Sequence, residues 1–346
     1  MMKFRTFPVL ALFLMGIIFL SILESWMVKP SKPEDSAIAQ SALKTLSLLQ
    51  KSGDVFIRNN INKCASCHNN TLTAMCEEIA RKKGLPVVDS FSSRNLVAME
   101  NDLMNVCNSN LLRQFIPANF ITPYVLVGLN AAKYQANPYT DIGVDYLMSQ
   151  AKPDGSFLAE SGRDPMETGD VHLTAMAIRS IQLYASAAKK EKAEMLIAKT
   201  RTWLEKQQTD LQQELCFQLL GLHWCGSSVT EKNKIAQKLR AIQNSDGGWS
   251  QLKTMKSDAY ATGQALFALY ESGTEKPTNT VYQKGLNYLL KTQKEDGSWF
   301  VTTRSFPIQP FVNSDFPPYD DNQFISAAGS NWAVMALLNA LPDKKN

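Results

Sequence analysis

Apolar positions recur at helical spacing along most of this chain. Five segments, at residues 121–132, 169–181, 213–224, 257–269 and 327–341, are almost wholly apolar and interleave small residues with Leu and aromatics. Each of the later four follows a more polar helical pattern, such as residues 188–207 or 233–243. Helices that are apolar on every side suit an inner layer, and amphipathic ones suit the layer around it. A helical pair recurring every 40 to 70 residues is the signature of a repeat architecture. Upstream, residues 36–50 carry Leu43, Leu46 and Leu49 at helical spacing. Residues 72–83 predict a helix ended by Gly84 and Pro86, and residues 93–113 predict another. The pattern predicts an all-α protein.

A second repeat marks the ends of the polar helices. Tyr288 and Leu289 lead to Gln293, then to Asp296-Gly297-Ser298-Trp299. An earlier copy runs through Leu239 and Gln243 to Asp246-Gly247-Gly248-Trp249. A third reaches Asp154-Gly155-Ser156-Phe157, and Trp203-Leu204 with Gln208 is a partial fourth. Gln at a helix end can bond free carbonyls, Asp-Gly makes the turn, and Trp covers the joint to the next pair.

These repeats resemble the glutamine-tryptophan repeat of squalene-hopene and oxidosqualene cyclases, over residues 115–341. More closely, the chain resembles exported bacterial proteins of the prenyltransferase and squalene-oxidase repeat superfamily that carry CxxCH ahead of such a domain. The phrases that bear this likeness are CASCHNN, DGGWSQL, SDAYATGQAL, QKEDGSWF, RSFPIQPF and DNQFISAAGSNWAVMAL. The resemblance implies an α/α-toroid of about five helical hairpins, of the terpenoid cyclase and protein prenyltransferase type. It implies less about activity. No Asp-x-Asp-Asp, the acid motif of class II cyclases, occurs, and no stretch matches the Asp/Cys/His zinc site of protein prenyltransferases. Asp320-Asp321 sits in a different, Pro-rich setting.

Residues 7–23 are uncharged and follow Lys3 and Arg5, a pattern that predicts an export signal and slightly favours an uncleaved membrane anchor. The expected location is periplasmic or cell-surface, or secreted if the signal is cleaved. The expected division is a signal anchor or signal peptide at 1–28, a linker and helix at 29–50, a CxxCH module at 51–112 and the toroid at 113–346. A net charge of +4 with no run of Lys and Arg among aromatics argues against a nucleic-acid partner.

Cys64-Ala65-Ser66-Cys67-His68 is the sharpest motif. CxxCH is the attachment pattern of c-type haem: two thiols form thioethers and the adjacent His binds iron. Met75, Met99 and Met104 are candidates for the sixth ligand, Met75 first. The alternatives are a structural zinc held by Cys64, Cys67, His68 and Cys76 or Cys107, or disulfides. Cys216 and Cys225 read as buried thiols.

Asp170 and Asp258 occupy matched places at the starts of apolar segments, where they read as helix caps or as acids at the toroid's mouth together with Glu167, Asp320 and Asp321. A cavity lined by Tyr124, His172, Tyr260, Gln264 and Trp332 suits an apolar, isoprenoid-type ligand, and equally a plain helical core. The loop between Trp299 and Phe324, with Phe306, Phe311, Phe316 and Tyr319, reads as a lid or as packing, with Arg304 pairing with Asp320 or Asp321. Three functions follow. The first is an exported haem protein whose toroid binds an apolar ligand and exchanges electrons with it and with a redox partner protein. The others are a terpenoid-modifying enzyme using Asp258 or Asp170 as acid, and a protein-docking scaffold with a structural Cys/His site.

Overall fold

The alternation of amphipathic and apolar segments folds into six helical hairpins. The structure, a computed structural model, describes residues 33–60, 62–111, 118–159, 163–305 and 313–344. Among these residues there are twelve α-helices and no strand beyond two isolated bridges. The helices are α1 (Asp35–Asn59), α2 (Leu72–Lys82), α3 (Asp89–Leu111), α4 (Ala118–Ala131), α5 (Pro138–Gln150) and α6 (Asp170–Tyr184). They continue as α7 (Lys190–Lys206), α8 (Gln212–Trp224), α9 (Val229–Ala241), α10 (Ala259–Glu271), α11 (Thr280–Thr292) and α12 (Gln323–Asn339).

The even-numbered helices pack in the order α2, α4, α6, α8, α10, α12 and back to α2, which closes an inner ring. The odd-numbered helices form the outer layer, each packing against one or both of its inner neighbours: α9 lies on α8, α11 chiefly on α10, and α1 chiefly on α12. All five apolar segments singled out in the sequence are inner helices. The sixth inner helix is α2, so residues 51–112 are not a separate module. Pro33–Asn346 is one compact unit in which α1, α2 and α3 are ring members. The physical reason is burial: Leu72, Ala74, Cys76 and Ala80 of α2 are at most 2% exposed and join the common core. Residues 1–32 lie outside the described residues, and with them the expected anchor at 7–23. No described helix is long and apolar enough to cross a membrane.

Small residues set the spacing of the inner ring. A Cβ on Gly263 of α10 would lie 2.4 Å from the backbone carbonyl carbon of Trp332 on α12. No side chain fits between these two helices there, which is why the inner segments read as mixtures of Gly, Ala, Ser and large apolar groups. The outer turns follow the repeat. Asp296 accepts from the Ser298 amide at 2.9 Å and its hydroxyl at 2.7 Å. Trp299 donates from Nε1 at 2.9 Å to the Leu289 carbonyl, which also accepts the Gln293 amide, and Trp249 donates likewise to Leu239 at 2.8 Å. The Trp thus both covers the joint and satisfies a helix-end carbonyl.

Candidate functional site

Because every hairpin runs outward helix first, the inner helices are parallel, and the toroid has one mouth of N-termini and one of C-termini. The CxxCH motif lies at the N-terminal mouth and runs directly into α2. Residues Cys67–Thr71 form a π-helical turn capped by Ser66, whose Oγ accepts from the Asn69 amide at 3.1 Å. Such turns tend to occur at functional positions, since they re-aim side chains within a helix. The motif is pinned from several sides. Ala65 donates its amide to Asp102 Oδ2 at 2.9 Å, Ser66 donates to Asn70 Oδ1 at 3.0 Å, and Asn331 of α12 donates to the His68 carbonyl at 2.8 Å.

Cys64, Cys67 and His68 line one cavity of about 260 Å³, walled by Phe56, Ile121, Tyr124 and Phe324. An adjoining cavity of about 80 Å³ shares Cys67, His68, Arg163 and Phe324, and adds Met166. The imidazole sits between rings, with centroids 4.8 Å from Phe324 and 6.0 Å from Phe56. Its Nε2 is buried and meets no protein partner. Burial, then the nearby Arg163 charge, lowers its pKa to about 3, so the ring is neutral at any ordinary pH. Burial and the Glu167 charge push Cys67 up to about 12, and burial with Asp102 raises Cys64. Arg163 and Glu167 form an ion pair at 2.6 Å across this mouth.

The thiols form no disulfide; all six cysteines are free. The proposed zinc set is not assembled either. Cys76 donates to Asn331 Oδ1 at 3.3 Å and Cys107 to the Tyr139 carbonyl at 3.4 Å, and neither lines the cavities that hold His68. Among the described residues no three His, Cys, Asp or Glu groups cluster as metal ligands. The donors that do converge, two thiols and one neutral imidazole against an apolar wall, fit a covalent haem. Met75 does not belong to this site, since it faces the cavity at the opposite mouth. Met99 is buried beside Gly128, and Met104 lines neither cavity at this mouth. The methionine that shares a cavity lining with His68 is Met166, which no sequence spacing marked.

The predicted cavity residues are instead the plug of the toroid. Tyr124, His172, Tyr260, Gln264 and Trp332 are at most 2% exposed. Tyr124 Oη lies 2.9 Å from His172 Nε2, His172 stacks on Phe217 at 3.9 Å, and Tyr260 donates to Gln213 Oε1 at 2.7 Å. Burial lowers the His172 pKa to about 3. The hollow is therefore filled at its middle and open at both ends. Tyr124 touches both cavities and Trp332 the far one.

Asp170 and Asp258 are not equivalent in the structure. Asp258 caps α10, accepting from the Ala261 amide at 2.8 Å, and burial raises its pKa to about 6. Asp170 accepts from the Ala159 amide at 2.8 Å, while α6 is capped from its neighbour by Glu214, which accepts from the Val171 amide at 3.2 Å. Gly169, at φ +92°, is required there because a Cβ would meet Glu214 Oε1 at 1.9 Å. Neither aspartate lines either of these two cavities. Arg304 pairs with Asp164 at 3.6 Å and donates to Gln251 Oε1 at 2.9 Å, rather than pairing with Asp320 or Asp321. Asp320 is exposed and accepts from the Asn322 amide at 2.8 Å, and Asp321 is exposed at the rim of the smaller cavity. Of the loop aromatics, Phe316 is buried and Tyr319 is 67% exposed; Phe306 and Phe311 lie outside the described residues.

No family model matches the chain. Solved structures do. The chain is similar to the type II terpene cyclase MstE from Scytonema (TM-score 0.57, 13% identity, 90% of this chain and 99% of that one). A protein from Actinoplanes matches at TM-score 0.54 and 14% identity, over 86% of this chain and 99% of its own. A point variant of MstE in complex with geranylgeranyl dihydroxybenzoate matches at TM-score 0.54 and 15% identity, over 89% and 98%. At these identities the likeness speaks for architecture, and it establishes that this chain has the α/α-toroid fold of the terpenoid cyclases.

Proposed function

We propose that this is an exported, membrane-anchored protein that carries one covalent haem at the N-terminal mouth of its toroid and binds an apolar, isoprenoid-type ligand in the toroid's hollow. The observation that carries the haem reading is the convergence of Cys64, Cys67 and His68 on one cavity, with His68 Nε2 buried, neutral and unpartnered. Cys64 and Cys67 would each add S–H across one vinyl group, a step that needs no oxidant or reductant. His68 Nε2 would bind iron, and Met166 replaces the predicted methionines as candidate sixth ligand. Bound there, the haem would supply one-electron transfer to a redox partner or to the toroid's ligand. Phe56 and Phe324 would exclude water from the imidazole face. The apolar ligand is supported by the open ends of the hollow and by the prenylated substrate held by a cyclase of the same fold.

The test is expression of the full chain in a host that matures c-type cytochromes. Pyridine haemochrome spectra and intact mass should give one haem per chain in the membrane fraction, and none for the Cys64→Ser/Cys67→Ser double variant. A colourless protein of unmodified mass from that host rejects the haem reading. The acid-catalysed alternative has less support, because Asp258 and Asp170 are engaged at helix starts and line none of the cavities described above.

A further inference from the structure

The C-terminal mouth holds a separate cavity, of about 320 Å³, that the haem reading leaves unused. Its floor is apolar, built from Met176, Phe217, Leu220 and Phe267 around Trp332. Trp332 Nε1 and Asn339 Nδ2 are buried without a partner in residues only 2% and 7% exposed, and Trp224 Nε1 is a third unpartnered donor in the same wall. No acceptor of this cavity's lining side chains is left buried and unpartnered among the described residues. Arg179 lies over Trp224 at 5.4 Å and makes no ion pair within 4.0 Å among the described residues. A buried N–H without an acceptor costs free energy, so a wall of such donors is matched by a ligand that brings acceptor oxygens.

We infer that this mouth binds an apolar molecule with a neutral carbonyl-type head, a ketone or quinone, rather than a carboxylate or diphosphate. The charge at the mouth selects the neutral class. Lys82, Lys83 and Arg179 are balanced by Glu78, Asp343 and Glu271. Lys82 already pairs with Glu78 at 3.0 Å and Lys83 with Asp343 at 2.7 Å. All six inner helices end here, and helix C-termini carry partial negative charge. An anion would enter against that field with only Arg179 to meet it, whereas a carbonyl accepts from indole and amide N–H groups without needing a counter-charge. The cavity lies at the small end of the usual range for ligand pockets, which suits a compact head with a short apolar tail.

The inference rests on the apolar-ligand half of the proposed function and does not depend on haem. Equilibrium dialysis of the full chain against a decyl-substituted benzoquinone, farnesol and farnesyl diphosphate tests it. The quinone should bind most tightly. Asn339→Leu and Trp332→Phe should each weaken it roughly three- to tenfold, the effect of one lost hydrogen bond. Ile121→Trp, which fills the cavity at the CxxCH mouth, should leave it unchanged, with melting temperatures checking that every variant folds. Quinone binding lost only in Ile121→Trp overturns this placement while sparing the apolar-ligand reading. Tighter binding of the diphosphate overturns the neutral class. If none of the three probes binds, both readings fall.

Discussion

Ring closure should rest more heavily on Gln293 than on its counterpart in the middle of the ring. Gln293 follows α11, the last outer helix, and reaches α1, the first. It accepts from Ser41 Oγ at 2.8 Å and directs Nε2 toward Thr45 Oγ1 at 2.7 Å, the Ser41 carbonyl at 3.1 Å and the Gly297 carbonyl at 3.2 Å. With two amide hydrogens for three acceptors, this amounts to about three effective bonds. At a net 0.5–1.5 kcal/mol each, offset in part by the apolar contact of the new side chain, Gln293→Leu should cost ~2–4 kcal/mol. Gln243, between α9 and α10, directs Nε2 to the Gly247 and Val281 carbonyls at 2.8 and 2.9 Å, and its loss should cost ~1–2 kcal/mol. An unfolding entropy of about 2.1 cal/mol/K per residue over Pro33–Asn346 converts each kcal/mol into ~1.5 °C. Calorimetry should therefore show Gln293→Leu melting ~3–6 °C below wild type and Gln243→Leu ~1.5–3 °C below. If Gln243→Leu is the more damaging, or Gln293→Leu shifts the melt by less than about 1 °C, the closing seam is not held as argued.

Three further outcomes are expected. Mild alkylation of haem-free protein, read by peptide mass, should modify Cys64 and Cys67, which are partly exposed, before the buried Cys76, Cys107, Cys216 and Cys225; uniform labelling would contradict the packing. His172 has a folded pKa lowered to about 3, so below pH ~6.5 the unfolded chain takes up a proton that the folded chain refuses, and stability falls with pH. Relative to His172→Phe, wild type should lose up to ~2 kcal/mol between pH 7 and 5 in chemical denaturation, and parallel pH profiles would show that the ring is protonated in the fold. Gly247 sits at φ +91°, and a Cβ would lie 2.6 Å from the Lys284 carbonyl oxygen, so Gly247→Ala should cost about 1–3 kcal/mol in the same measurement, more than Gly273→Ala, where φ +71° leaves the left-handed strain of ~1 kcal/mol but a Cβ meets nothing within 4 Å.

The architecture was legible because the two layers bury different amounts of surface. Inner helices such as 257–269 lose nearly all contact with water and must be apolar and small, while outer ones keep a charged face; this contrast survives in composition alone. The sixth pair was missed because α2 is short and its second half carries Glu77, Glu78, Arg81 and Lys82, which reads as a polar helix beside a Cys/His motif. Within the site, CxxCH was readable as local spacing, whereas Met166, Phe324 and Arg163 reach His68 from distant parts of the chain and leave no periodic trace. The same limit explains Arg304. Its partner Asp164 is 140 positions away, and the nearer acids Asp320 and Asp321 were the only choices that sequence offered. His172, Tyr260 and Gln264, expected to line a cavity, are buried inside the ring, because whether the hollow is open or filled depends on side chains meeting across it.

Parallel inner helices also decide how much the acids at the CxxCH mouth can mean. Six helix N-termini converge there, and each favours a carboxylate by roughly 0.3–1 kcal/mol with no catalytic demand. Asp258 and Glu214 accept helix-end amides, and Glu167 is paired with Arg163, so a ring of acids at this end is what the fold alone requires. The opposite holds for His68. Burial, and then the neighbouring Arg163, keep the imidazole neutral, but neither gives its buried Nε2 a partner. A side chain that the scaffold deprotonates and leaves unbonded, between two aromatic rings and beside two free thiols, is not explained by capping, packing or ion pairing. It is the feature of this mouth that calls for a ligand, and it is why the haem reading outranks acid catalysis on the same scaffold.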